Sequence, residues 1–427
     1  MTGARSAGTL RIALVTREYP PETDWGGIGS FYASFARALA GAGHEVEVFC
    51  QALTAAASDR ENGVLVHRLL VRQDLTGPGT PGDTGGNPDL GVFVYSLAAR
   101  MLEAVQARHA AKPFDVIEGH EHLAVNALIN ASRPTGAVTV TRYQGAYHTF
   151  AKRGAAEWPV SDWVRLLEKQ SIHAAGLRIA PSSSIDAAVR EDFGAPAADA
   201  IIPHFIAPGA GTSRAAAAPR DNVLLFVGRM MLGVKRPDLA VQAFVRVAAE
   251  FPAWRLHVVG ADHSTTLGMT TWEYCRGLVP DALREQVRYF GRLAPAEVQE
   301  AYRRARILIM PSAFEPFGMV AIEAMREGCV PIVATGTAPV DIVGDDELVF
   351  ANGSCEDLAA RLRPLMASDA LLQRKRQGCL ARFEQTFSTS AVLERNERAF
   401  RAGGVSHGAP PRRDGWLRQA FGRSLGT

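Results

Sequence analysis

Short apolar runs alternate with stretches whose apolar residues recur every three or four positions, from residue 10 to about residue 400. That alternation predicts parallel α/β architecture. In the first half, Leu10–Thr16, Glu45–Cys50, Val64–Leu70, Asp115–Glu118, Val138–Arg142, Arg178–Pro181 and Ala200–Pro203 read as strands. Ser30–Ala40 and Gly91–Arg108 read as helices, and the Gly- and Pro-rich stretch Asp74–Gly91 as a surface loop. The periodicity lapses over Pro208–Arg220 (PGAGTSRAAAAPR) and then restarts. Strands are expected at Val223–Gly228, Arg255–Gly260, Val287–Phe290, Ile307–Met310 and Val330–Ala334. Helices are expected at Pro237–Glu250, Pro295–Arg304, Met319–Glu327, Cys355–Met366, Asp369–Phe383 and Thr389–Arg401.

The expected fold is therefore two doubly wound, Rossmann-like domains facing across a cleft. Residues 1–207 form the first and 221–388 the second, joined by a linker at 208–220. A helix at 389–402 is expected to return to the first domain, ahead of a basic tail at 403–427. Ligands of such sheets bind beyond the carboxyl ends of the strands, so the cleft is the natural site.

Composition narrows the picture. At 427 residues the chain is too long for one core. Lys plus Arg number 46 and Asp plus Glu 44, a near-balance that argues against nucleic-acid binding. No 18-residue stretch lacks charge, so no membrane span is expected, and the apolar run Ile12–Val15 is too short for a secretory signal. The five cysteines are scattered and never form a C-x-x-C pair, which suits reduced thiols in a cytoplasmic protein. The tail carries Arg412, Arg413, Arg418 and Arg423 among Trp416, Leu417, Phe421 and Leu425. It fits either a frayed terminus or a peripheral contact with an anionic membrane.

Four segments carry candidate chemistry. Ser312–Gly328 (SAFEPFGMVAIEAMREG) follows a strand and opens a helix near Gly318, whose first N–H groups offer an anion site. Glu323 lies deeper among apolar neighbours and needs donors, which two ribose hydroxyls or a structural partner would supply. Arg229 at a strand end and Lys235 in the loop behind it would clamp a diphosphate, unless they are merely solvated charge. Gly26, Gly27 and Gly29 join the first strand to the first helix and permit close ligand approach. Tyr32 stands where a dinucleotide fingerprint needs its third glycine, which argues against a nicotinamide oxidoreductase. His120-Glu121-His122 follows another strand, but two histidines without a third ligand make a poor metal site. His120 is then either a substrate contact or a core histidine.

Taken together, residues 9–400 resemble a retaining glycosyltransferase of family 4, with the GT-B fold. The likeness rests on Gly26, Gly27 and Gly29, Asp115-Val-Ile-x-x-His120, Gly228-Arg229 with Lys235, Phe290-Gly291-x-Leu293, and Glu315 spaced eight from Glu323. It implies a nucleotide-diphosphate sugar donor, an acceptor that is a small molecule, glycan or lipid, and no metal or other cofactor. Arg229 and Lys235 would hold the diphosphate, Glu323 the ribose, and Glu315 with Phe317 and Gly318 the sugar. Arg292 and Leu293 would sit by the base, Gly27 and Gly29 near the phosphate, and His120 beneath the sugar as a catalytic group. Tyr143 and Gln144 are acceptor candidates. Two departures stand out: Gln144-Gly145 replaces the usual His-Gly, and Gly336-Thr-Ala-Pro-Val-Asp341 replaces Gly-Gly-x-x-Glu. A nucleotide-sugar epimerase, a phosphorylase and a non-catalytic sugar-binding module remain alternatives.

Overall fold

The computed structural model describes residues 8–23, 27–71, 90–153, 162–206, 220–263 and 268–405. The loop expected at 74–91, Gly26, most of the linker and the tail beyond 405 lie outside the described residues.

The first sheet contains β1 (Arg11–Val15), β2 (Glu45–Ala52), β3 (Ala57–Glu61), β4 (Val64–Leu70), β5 (Val116–His120), β6 (Val138–Arg142), β7 (Leu177–Ala180) and β8 (Ala200–Ile201). Their order is β3-β4-β2-β1-β5-β6-β7-β8. Every neighbouring pair is parallel except β3–β4. Helices cover both faces, so a central strand such as β1 (RIALV) is buried throughout. The edge strand β3 (ASDRE) is polar and largely exposed, and no apolar run announces it.

The second sheet contains β9 (Val223–Val227), β10 (Arg255–Val259), β11 (Val287–Tyr289), β12 (Ile307–Met310), β13 (Val330–Ala334) and β14 (Val349–Phe350). It is wholly parallel, in the order β11-β10-β9-β12-β13-β14. That is the doubly wound order, with its reversal between β9 and β12. In the first sheet the chain reverses between β1 and β5. The carboxyl ends of these four strands face one cleft.

The first helix spans Gly27–Gly41 rather than starting at Ser30, so Gly27 and Gly29 belong to its first turn. Helix Leu90–Ala111 is long and apolar enough to cross a membrane by length and composition, although it carries Arg100, Glu103 and Arg108. It buries Phe93, Val94, Leu97, Met101 and Val105 in the core of the first domain. The last helix, Thr389–Val405, sends Val392 and Phe400 into that same domain. There Asn396 accepts a hydrogen bond from Arg142 at 2.5 Å, and Arg142 is ion-paired with Glu118 at 2.6 Å. All three side chains are buried.

Candidate active site

Between the two sheets lies a cavity of about 560 Å³, lined from both domains. The second domain supplies Gly228, Arg229, Lys235, Ser312 and Glu315 through Val320, together with Glu323. The first supplies Arg17, Glu18, Gly27, Ile28, His122, Gln144, Tyr147, Phe150 and His204, among others.

Local backbone geometry places the basic groups. Gly228 N–H donates to Val259 O (3.0 Å) and Gly260 N–H to Gly291 O (2.8 Å), which ties the ends of β9, β10 and β11 together. A Cβ on Gly260 would lie 1.8 Å from Gly228 O, so only glycine permits this approach. After Arg229 the chain turns tightly, with Met231 O accepting from Lys235 N–H at 2.9 Å. Ala313 N–H donates to Val234 O at 2.8 Å and brings this turn against the loop after β12. Lys235 Nζ is then ion-paired with Glu315 Oε2 inside the cleft.

The helix Met319–Arg326 begins at Gly318, whose φ of +97° is left-handed. A Cβ there would also meet Pro339 Cγ at 2.6 Å. On the first turns of this helix, Glu323 accepts from Tyr302 Oη–H at 3.0 Å. Burial raises the Glu323 pKa and Tyr302 opposes that rise. The hydrogen-bonding partner of Glu323 is thus Tyr302, with Arg326 acting on it through charge.

On the opposite wall, His122 Nδ1 donates to Gly145 O (2.8 Å), which leaves Nε2 as its acceptor. Burial, with Arg17 and with Arg229 across the cleft, pushes His122 down to about 4 against the Gly145 hydrogen bond, so the ring is neutral at pH 7. Glu121 accepts from the Gln144 and Gly145 N–H groups, at 2.9 and 2.8 Å. Glu168 accepts from Leu123, Tyr147 and His148 N–H. Burial raises these carboxyls to about 7 and about 8. Gln144 Oε1 in turn pairs with His204 Nε2 at 2.9 Å.

Not every expected residue reaches the cavity. His120 does not line it. As the last residue of β5 it shares a face with Glu118 and sits behind the cleft beside Tyr32, with Nε2 3.3 Å from Thr16 Oγ1. His122, clear of the strand, lines the cavity instead. Gly29 packs inside the first domain, where a Cβ would be 3.1 Å from Glu18 Cβ, whereas Gly27 faces Met319 across the cleft. Tyr143 is fully buried, among Ile172, Ala180, Ile185 and Val189. Arg292 is exposed and Leu293 packs on the second core, so neither lines the cavity, although their turn abuts Gly260. Asp341 accepts from Ser183 Oγ–H at 2.6 Å and so bridges the domains. Arg17, Glu18 and His204 were not expected in the cavity. Arg17 and Glu18 lie just beyond the end of β1, where position alone could have marked them.

Comparison with known proteins agrees with this geometry. Residues 25–208 match the family description "Glycosyltransferase Family 4" and residues 221–368 match "Glycosyl transferases group 1". A D-inositol 3-phosphate glycosyltransferase of Kineococcus radiotolerans is 30% identical, over 96% of this chain and 100% of that protein. A glycogen synthase of Mycobacterium tuberculosis is 25% identical over 90% of this chain and 92% of its own. Among solved structures, sucrose-phosphate synthase from Thermosynechococcus elongatus superposes with a TM-score of 0.68 at 20% identity, covering 97% of this chain and all of that one. The catalytic domain of starch synthase IV from Arabidopsis thaliana, bound to ADP and acarbose, gives 0.66 at 14% identity, covering 93% and 100%. With two Rossmann-like domains closing on one cleft, the chain belongs to glycosyltransferase family 4 and has the GT-B fold.

Proposed function

We propose that this glycosyltransferase moves a hexose-type sugar from a nucleoside-diphosphate donor to an acceptor hydroxyl, with retention at the anomeric carbon and without a metal. The observation that carries the reading is the meeting of Arg229, Lys235, Glu315, Gly318 and Glu323 around one cavity. Arg229, Lys235 and the N–H groups after Gly318 take the diphosphate. Their charge stabilises the leaving group more as the anomeric C–O bond breaks than before it. Glu323, oriented by Tyr302, accepts from the ribose hydroxyls. Glu315 accepts from the sugar hydroxyls once the diphosphate draws Lys235 away from it.

His122 takes the position beneath the sugar that the sequence suggested for His120. A neutral ring whose free nitrogen is an acceptor can bind a sugar hydroxyl without repelling the positive charge that grows on the sugar. The leaving phosphate oxygen receives the acceptor proton, so no enzymic base is required. Gln144 and Tyr147 line the acceptor side. The names of the relatives cover a cyclitol phosphate and a glucan, so acceptor assays begin with those two classes.

The test is calorimetry with a panel of nucleoside diphosphates, followed by NMR of the product from the matching nucleotide sugar. Tight binding of one diphosphate, a product of unchanged anomeric configuration and turnover indifferent to EDTA are expected. Release of an epimerised donor without acceptor would favour the epimerase, and nucleotide binding too weak to measure would favour a sugar-binding module.

A further inference from the structure

At the amino ends of the central strands of the second sheet, opposite the cleft, lies a separate cavity of about 100 Å³. Three arginines from different parts of the chain line it: Arg220 just before β9, Arg306 just before β12, and Arg376 on the helix Asp369–Arg382. Gln373 and Gly328 complete the polar wall. We infer that this cavity is a second, non-catalytic binding site for a phosphate dianion, either free or as the head of a phosphomonoester.

Arg220 is held by the carbonyls of Tyr302 (2.9 Å), Ala305 (2.7 Å) and Glu327, at the carboxyl ends of two helices. Arg306 is fixed by Asn222 at 2.7 Å and by the exposed Asp369 at 2.6 Å. Three guanidinium groups are thereby positioned around a void before any ligand arrives, which lowers the ordering cost of binding. Holding like charges together is unfavourable. Burial, with Arg376 and Arg306 acting the same way and Cys329 and Glu327 opposing, lowers the pKa of Arg220 to about 10. Arg376 is lowered by burial and by Arg306. A dianion between them removes that repulsion and can accept several charge-assisted hydrogen bonds. Gly328 keeps the space open. Its φ is +71°, and a Cβ there would lie 2.9 Å from Arg376 Nε and 3.0 Å from Arg220 Nη2. The volume suits one phosphoryl group, with an ester substituent left outside in solvent.

The site also touches the donor machinery from behind. Gly328 follows the helix Met319–Arg326, which carries Glu323. Arg220 follows the segment that joins the two sheets in sequence.

The test uses the full chain carrying Arg229→Ala and Lys235→Ala, so that phosphate binding in the cleft is weakened. Calorimetry and thermal shift are run with inorganic phosphate and with glycerol phosphate, against chloride at equal ionic strength. Saturable binding is expected, weakened about tenfold or more by Arg376→Gln and by Arg306→Gln, each made separately. If Arg376→Gln does not fold, Arg306→Gln decides. Binding of both probes points to a phosphomonoester ligand, and binding of inorganic phosphate alone to the free ion. Absence of saturable binding, or binding that both variants leave unchanged, overturns the inference without touching the glycosyl-transfer reading.

Discussion

The two walls of the cleft are built on different principles. The wall from the second domain displays charge: Arg229 and Lys235 reach it from a strand end and the turn behind it, and Lys235 already grips Glu315. The wall from the first domain shows Arg17 and Glu18 to the cavity but keeps its other carboxyls out of it. Glu121 and Glu168 are buried and spend their oxygens on backbone N–H groups of residues 144–148 and Leu123. Those carboxylates fix the shape of the loop that carries Gln144 and Tyr147 but do not face the cavity themselves. Under the proposed function, one wall meets a ligand of constant charge, a diphosphate. The other would be a shaped surface whose chemistry can vary with the acceptor.

This contrast can be broken most directly at the charged wall. Arg229→Ala or Lys235→Ala is expected to lower turnover by ~10²-fold or more, because each removes charge stabilisation of the leaving group. Steady-state kinetics with the preferred donor measures this, and unchanged turnover would remove the basis of the clamp. Next comes Glu323→Gln, expected to raise the donor KM roughly tenfold with little change in kcat. Tyr302→Phe, which only orients Glu323, should raise it less, about fivefold.

The hidden wall gives a smaller effect, of a different kind. The folded pKa values of Glu121 and Glu168, about 7 and about 8, lie above those of an unfolded chain. The folded state then holds more protons between about pH 4.5 and pH 8, so their contribution to stability is present in acid and fades as the pH rises through that window. Urea unfolding from pH 5 to pH 8 should show stability falling by about 1 kcal/mol or more from these groups, with a shallower slope in Glu168→Gln. The smallest contrast lies within one helix turn. Gly29→Ala should destabilise by about 1 kcal/mol, since its Cβ crowds Glu18, whereas Gly27→Ala, with only a 3.7 Å contact to Met319, should not. Thermal unfolding of the pair checks it.

The same contrast explains what the sequence reveals. The charged wall is legible because its residues fall in short contiguous segments, Gly228–Lys235 directly after β9 and Glu315–Glu323 a few residues after β12. The apolar runs also mark the central strands, β6, β12 and β13 to the residue. They miss β3, because an antiparallel edge strand of ASDRE buries no apolar face, and the two-residue strand β14 goes unread as well. The hidden wall is assembled from residues far apart in the chain. Nothing local to Glu168 shows that it supports Tyr147, and nothing local to His204 shows that it meets Gln144. His120 and His122 differ in role only through where β5 stops, and strand ends are the least certain feature of an apolar run.

The closing helix has a consequence for synthesis. Val392, Asn396 and Phe400 complete the first domain, yet they follow the entire second domain in the chain. A nascent chain therefore possesses every residue of its later domain before the earlier one can be sealed. Until then Arg142 and Glu118 lack their third partner, Asn396. The earlier domain is the one left ajar on the ribosome, and the place where a chaperone would find apolar surface longest.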